Sequence, residues 1–166
     1  GWQHAIAVTA FDEGDQVNNL ESLESSPLAN MVRAFPGKPG NDGFENGEPF
    51  VYPNPYYAGA GWEGASTFEE DRKIMFANLP SDCEVRIYTV AGDLVDQFNH
   101  EQAYVGDDIR WFGTYSDTET TKFAGGEHAW DLLSKDNQII ARGIYMFSVK
   151  DKTSGKIFKG KFVVVK

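Results

Sequence analysis

The sequence predicts an all-β fold, an antiparallel β-sandwich. Three observations carry that reading. Apolar side chains alternate with a period of two through most of the chain, the alternating runs are short and bounded by Gly, Asn, Asp and Pro, and a sustained helical stripe is missing. Short strands without intervening amphipathic helices build antiparallel sheets packed face to face, not a parallel sheet covered by helices. A chain of 166 residues suffices for one full domain and part of a second.

The first strand is "HAIAVTAF". Ile6, Val8 and Ala10 share one face and Ala5, Ala7, Thr9 and Phe11 the other, the pattern of a well-buried strand. Residues 12 to 50 are rich in Gly, Pro, Asn and acidic side chains and read as a linker, with one candidate helix around "LESLESSPLANMV". A single strand ahead of a long linker cannot bury both of its faces alone, so it needs partners in this molecule or a neighbour.

"VYPNPYY" at 51–57 interrupts a strand-like run twice. Pro53 and Pro55 lack N–H donors and fix φ at roughly −65°, so they end pairing at the domain entrance and blunt an edge. Asn54 between them caps a turn with its side chain. In "KIMFANLP", Ile74 and Phe76 share a face before Pro80. "EVRIYTVAGDLVDQF" sets Val85, Ile87 and Thr89 against Arg86, Tyr88 and Val90, with "AGD" as a hairpin turn in which Gly92 supplies the conformation.

"DIRWFGTY", "EHAWDLL", "QIIARGIYMFSVKD" and "KIFKGKFVVVK" complete the strands. Trp130 fills the sandwich centre and Gly143 allows a sharp bend between "IIAR" and "IYMFSV". Residues 99–127, where polar stretches flank "IRWFGTY", are expected to project as an inserted hairpin.

Composition excludes several function classes. A formal charge of −10, from 25 acidic against 15 basic residues, argues against a surface that tracks phosphates, so no nucleic-acid partner is expected. The single cysteine, Cys83, rules out an intrachain disulfide and reads as a small buried hydrophobe at a strand entrance. A membrane-spanning apolar run is missing. The opening "GWQHAIAVTAFD" has neither a basic region nor a long apolar stretch, so export is expected to rely on a signal not present in this chain.

Motifs that would carry chemistry fail on context. "GAGWEG" at 59–64 has the glycine spacing of a dinucleotide fingerprint, but prolines precede it and no helical pattern follows, so it reads as a loop. "HEQAY" at 100–104 places Tyr104 where a zinc protease helix needs its second imidazole. His4, His100 and His128 lie far apart in sequence and read as polar edge residues. With no nucleophile elbow and no phosphate loop, the expectation is a protein that is not an enzyme.

Asp12 and Asp15, with Glu13 and Asn18, offer oxygen ligands that suit calcium without the spacing of an EF-hand, against the alternative of a solvated turn. No other cofactor is expected. Tyr56, Tyr57, Trp62, Trp111, Phe112 and Tyr115 lie in loops or the insertion, where amphipathic rings suit a sugar ring or a protein partner.

Taken in order, "VYPNPY", "RKIMFANLP", "CEVRIYTVAGDLV", "WDLLSKDNQIIARGIYMFSVKD" and "GKFVVVK" resemble the immunoglobulin-like C-terminal domains of bacterial secreted proteins. Such domains occur as type IX secretion sorting domains and in the flagellar hook-cap protein. The resemblance covers about residues 50 to 166, and "AIAVTAFDEGD" upstream resembles the closing strand of a fibronectin type III domain. It implies two parts: residues 1–48, a closing strand plus linker, and residues 49–166, an immunoglobulin-like sandwich with its insertion at 99–127.

It also implies a non-catalytic extracellular module for secretion sorting and surface attachment of a larger protein. Its partners would be outer-membrane secretion machinery or neighbouring surface-protein subunits. Recognition would use the last hairpin, with Gly143, Tyr145, Lys159, Lys161 and Lys166 as its residues.

That hairpin differs electrostatically from the rest of the chain. From residue 150 onward six lysines are opposed only by Asp151, in an otherwise acidic protein. Three readings fit: recognition by an acidic receptor or lipopolysaccharide, neutralisation of the acidic remainder, and edge protection by alternating lysines. Two further functions follow from other features. Ile6, Val8 and Phe11 within residues 4–11 make a strand that a neighbour's sheet would accept, giving a surface layer or filament, and the aromatic insertion suits an adhesive or glycan-binding module.

Overall fold

The computed structural model describes residues 2–15, 17–45, 47–57, 72–109 and 121–165. Among the described residues eleven strands form three sheets. The largest is ordered β4-β11-β10-β6-β7, from β4 (Tyr56–Tyr57), β11 (Ile157–Val165), β10 (Gly143–Asp151), β6 (Asp82–Thr89) and β7 (Leu94–Glu101). A second, β3-β5-β9, joins β3 (Phe50–Tyr52), β5 (Ile74–Ala77) and β9 (Glu127–Trp130), and a third, β1-β2-β8, joins β1 (His4–Ile6), β2 (Val32–Phe35) and β8 (Thr121–Phe123). All pairs are antiparallel except β11 with β4 and β2 with β8, two parallel exceptions to the expected pattern.

The sandwich core lies between the five-stranded sheet and β3-β5-β9. Alternation fills it from both sides: Cys83, Val85 and Ile87 from β6, Tyr145, Phe147 and Val149 from β10, Phe162 and Val164 from β11. Phe76 sits at the centre, edge-on to Phe98, Phe147 and Phe162 at centroid distances of 5.5, 5.4 and 6.2 Å. Trp130 is buried in this core as expected, and its Nε1 donates to Asp96 Oδ2 at 2.7 Å. Gly92, at φ +93°, makes the β6–β7 turn that the sequence predicts.

β5 is buried on both faces, and this explains the N-terminal third of the chain. Ile74 and Phe76 face the main core, whereas Met75 faces a second cluster with Phe35, Ile109 and Ala129. Phe35 of β2 stacks on Phe123 of β8 at 4.6 Å, closing that cluster from outside. Residues 12–50 are therefore not a free linker. β2 covers the second face of the middle sheet, and Gly43 N donates to buried Asp151 Oδ2 at 2.8 Å. Close backbone crossings demand glycine here: a Cβ on Gly126 would stand 2.6 Å from the Lys38 carbonyl oxygen, and one on Gly40 2.5 Å from that of Gly125.

The first strand is neither orphaned nor buried. β1 pairs with β2 in register His4↔Ala34, and the pairing continues outward: Asn30 bonds both backbone groups of Val8, Ser25 N donates to Ala10 O, Asp12 N to Leu23 O, and Asp15 and Leu20 exchange two bonds. Residues 4–15 and 17–35 thus make the two limbs of one long hairpin arm. Ile6, Val8 and Phe11 are 56%, 74% and 75% exposed, which corrects the expectation of a well-buried strand. The expected helix is absent as well: Leu20–Ser25 is the returning limb, and only a 3-10 turn over Pro27–Ala29 follows, capped by Ser26 Oγ accepting from Leu28 N.

The inserted region is not a projecting hairpin over its described part. β7 runs on to Glu101, Ile109 is buried in the second cluster, and β8 and β9 join two different sheets. Nor do Pro53 and Pro55 simply end a strand. They carry the chain from β3 in one sheet to β4 at the edge of the other, and Asn54 caps β11, its Nδ2 donating to Lys161 O at 3.4 Å and its Oδ1 accepting from Val163 N at 3.1 Å.

Phe76→Ala is expected to lower unfolding free energy by about 3–5 kcal/mol in urea titration, against less than about 0.5 kcal/mol for exposed Ile6→Ser. Similar losses for the two would contradict this assignment of the core.

Candidate functional site

The solvent side of the five-stranded sheet is one candidate. Pairing registers place Tyr88, Met146 and Lys161 in one row across β6, β10 and β11, and Arg86, Ser148 and Lys159 in the next. Ile144 and Met146 are 53% and 45% exposed, and a groove of about 330 Å³ runs between Tyr88, Val90, Met146 and Lys159. Arg86 pairs with Glu84 at 3.0 Å and Lys152 with Asp82 at 2.8 Å. The face is basic and apolar together.

Of the predicted recognition residues, Lys159 and Lys161 lie on that exposed face and Gly143 opens β10. Tyr145 does not face solvent: its ring stacks on Phe162 at 5.5 Å within the core and its hydroxyl donates to Ala141 O at 2.8 Å. Lys166 lies outside the described residues, as do Trp62, Trp111, Phe112, Tyr115 and the "GAGWEG" stretch. Tyr56 is buried in the core and Tyr57 is exposed.

Asp12 and Asp15 spend their oxygens on their own hairpin. Asp12 Oδ1 accepts from Gly14 N and Leu23 N, both at 3.0 Å, and Asp15 accepts from Val17 N, Asn18 N and Asn18 Nδ2. Among the described residues no group of three or more His, Cys, Asp or Glu side chains is arranged to hold a metal ion. The Cys83 thiol is pushed up to about 12 by burial and by the neighbouring Asp151 and Asp82 carboxylates, so it stays protonated.

A second site is one that sequence reading missed. His100 and His128 are not edge residues: both are buried, and their Nδ1 atoms lie 3.3 Å apart. His100 Nε2 is 3.0 Å from Gly125 O, His128 Nε2 is 3.0 Å from Asp108 Oδ2, and Tyr104 Oη donates to Asp108 Oδ1 at 2.8 Å. The His128 ring is clamped between Phe98 at 4.2 Å and Tyr104 at 3.9 Å.

β7 and β9 bring the two imidazoles together because inward-facing positions on each strand meet across the sandwich edge: Asp96 with Trp130, Phe98 and His100 with His128. A cleft of about 320 Å³ lined by Asn99, Glu101, Tyr104, Asp107, Asp108 and His128 opens beside them. Burial, then His128, pushes His100 down to about 4. Burial alone would raise Asp108, but hydrogen bonds from His128 and Tyr104 hold its carboxyl below the ordinary range.

No protein-family model matches the chain, and no curated protein matches it. Among solved structures it is similar to PorZ, described as an essential bacterial surface component of the type-IX secretion system of Porphyromonas gingivalis, with 21% identity, 71% of this chain and 11% of that chain covered, and a TM-score of 0.43. It is also similar to dimeric latent PorU from Porphyromonas gingivalis, with 18% identity, 99% and 12% covered, and a TM-score of 0.41. The chain thus spans about one tenth of the length of each, at 11% and 12%.

On the opposite face of β9, Glu127 accepts from Tyr52 Oη at 3.0 Å with Oε1, while Oε2 is buried without a hydrogen-bond partner among the described residues. Burial raises its carboxyl above the ordinary value. The folded state therefore holds this proton more tightly than the unfolded chain, so stability falls as pH rises past the unfolded value and through the folded one. Glu127→Gln cannot ionise and is expected to raise Tm at neutral pH and flatten that slope, read by thermal unfolding between about pH 4 and pH 8. A Tm at or below that of the parent at the upper end would contradict it.

Proposed function

We propose that this chain is a non-catalytic extracellular module for secretion sorting and cell-surface attachment of a bacterial protein, read through the outward face of β10 and β11. The observation that carries the reading is the basic and apolar face around Lys159, Lys161, Ile144 and Met146 on a chain of net charge −10. Such a face draws an acidic partner by long-range attraction and holds it by burying apolar area. The partner is an acidic component of outer-membrane export or attachment machinery.

β10 lies between β11 and β6, so the rows of side chains exist only once the sandwich has formed. Recognition through them selects folded chains. Deleting residues 143 onward would remove the centre of the sheet and test folding instead of recognition. The discriminating change is Lys159→Glu with Lys161→Glu, both exposed. Surface display of an upstream reporter is expected to fall at least about ten-fold with Tm unchanged, and display at the parental level would overturn the reading.

A second reading has its own observation. β1 is an end strand of its sheet, and the arm exposes Ile6, Val8 and Phe11. Another sheet laid against them would be either a preceding fibronectin type III-like domain, which the arm closes, or a neighbouring subunit in a surface layer or filament. Light scattering separates the two: self-association that is lost on removing residues 1–12 favours assembly, and monomers throughout favour the closing hairpin.

A further inference from the structure

The buried chain Gly125 carbonyl, His100, His128, Asp108 carboxylate has an acceptor at each end and four ring nitrogens between. Three contacts need three N–H protons, and two neutral imidazoles supply only two. With the pair neutral and Asp108 ionised, one contact sets lone pair against lone pair. One added proton completes all three and makes the pair a cation beside the Asp108 anion. A second added proton, taken like the first from solvent, points two N–H groups at each other across 3.3 Å and places two positive charges in contact.

We propose that His100, His128 and Asp108 form a one-proton latch that pins the segment Tyr104–Ile109 to β9 and releases it on acidification. The segment has contacts besides the latch: Tyr104 also packs on Phe123 of β8 at 5.0 Å and on His100 at 6.0 Å. Tyr104 lies on His128 and bonds Asp108, and Ile109 enters the second cluster beside Ala129. Repulsion between two charged rings drives His128 out of its place against Tyr104 and Asp108, and these are the contacts by which the imidazole pair ties the segment to β9.

Among the described residues, the ionisable groups around the pair are Asp82 and Cys83 of β6, Asp96 and Glu101 of β7, and Tyr104, Asp107 and Asp108 of the segment itself. β5 contributes Phe76 opposite His128. Nearby carboxylates favour the first proton, and the mutual repulsion of the rings opposes the second. His100 held down to about 4 fits release on the acid side. The unfolded ring binds its proton near 6.5, so the stability that depends on excluding the second proton is present above that value and lost as pH falls toward 4, whereas loss of the first proton at higher pH returns the lone-pair clash.

Hydrogen–deuterium exchange of the whole chain, corrected for the intrinsic pH dependence of exchange, tests this. Protection at Tyr104 and Ile109, whose amides bond Glu101 O and Gly106 O, is expected to fall at least about ten-fold from pH 7 to pH 4 while β10 stays protected. His100→Gln offers Gly125 a donor and His128 an acceptor without titrating, and is expected to keep that protection. Equal protection of the parent at both pH values, or loss in the Gln variant at the parental pH, would overturn the latch. Should that variant not fold, ring nitrogen shifts of the parent decide: three ring N–H in the closed state support the latch, and two neutral rings refute it.

Discussion

The structure depends on one constraint: the short middle sheet β3-β5-β9 must be covered on both faces. Its central strand reads Ile-Met-Phe-Ala, and all four residues are buried. Ile74 and Phe76 are covered by the five-stranded sheet, but Met75 and Ala129 point the other way and would meet water if the chain began at β3. Phe35, Phe123 and Ile109 come from three separate stretches to cover them. The N-terminal segment is thereby bound to the sandwich it precedes, and the roots of the insertion are drawn inward.

Covering a sheet on both sides also encloses its polar atoms. Buried polar groups are costly unless paired, and the pairings here follow the strand ends. Trp130 finds Asp96, Tyr52 finds Glu127, and Asp151 accepts from Gly43 N, Thr153 N and Ser154 Oγ. Burial pushes the Asp151 carboxyl up, but those donors hold it below the ordinary range. Asp151 is thus the tie between the strap at 41–44 and the turn of the last hairpin. The imidazole pair performs the same task between β7, β9 and the segment returning from β7.

Legibility in the sequence followed exposure. β6, β10 and β11 each show one face to the core and one to water, so alternation revealed them, as it did Trp130 and the Gly92 turn. β2 and β8 are short and lie among glycines and polar residues, where periodicity has no room to show. The arm misled for a different reason: alternation in "HAIAVTAF" tells which side chains share a face, not whether that face is covered, and the described chain does not cover it. The imidazole pair was hidden by sequence separation, since spacing cannot tell which strands face each other across a sandwich. One signal did exist: in "EHAW", His128 shares its face with Trp130, the residue already assigned to the core.

The lysines of the last hairpin had three readings, and the topology bears unequally on them. Edge protection concerns the unpaired N–H and C=O groups along a strand's side. On β11 that side is occupied by β4 at Val164 and Val165 and by the Asn54 amide at Lys161 and Val163, with prolines on either side of Asn54 that offer no N–H of their own. The edge is guarded there by "Pro-Asn-Pro". Lys159 and Lys161 point instead from the broad face of the sheet, beside exposed Met146. Neutralising an acidic protein requires no particular position and no apolar neighbours. Placement in rows next to Met146 and Ile144, across the face of the five-stranded sheet, is the feature on which the proposed docking surface rests.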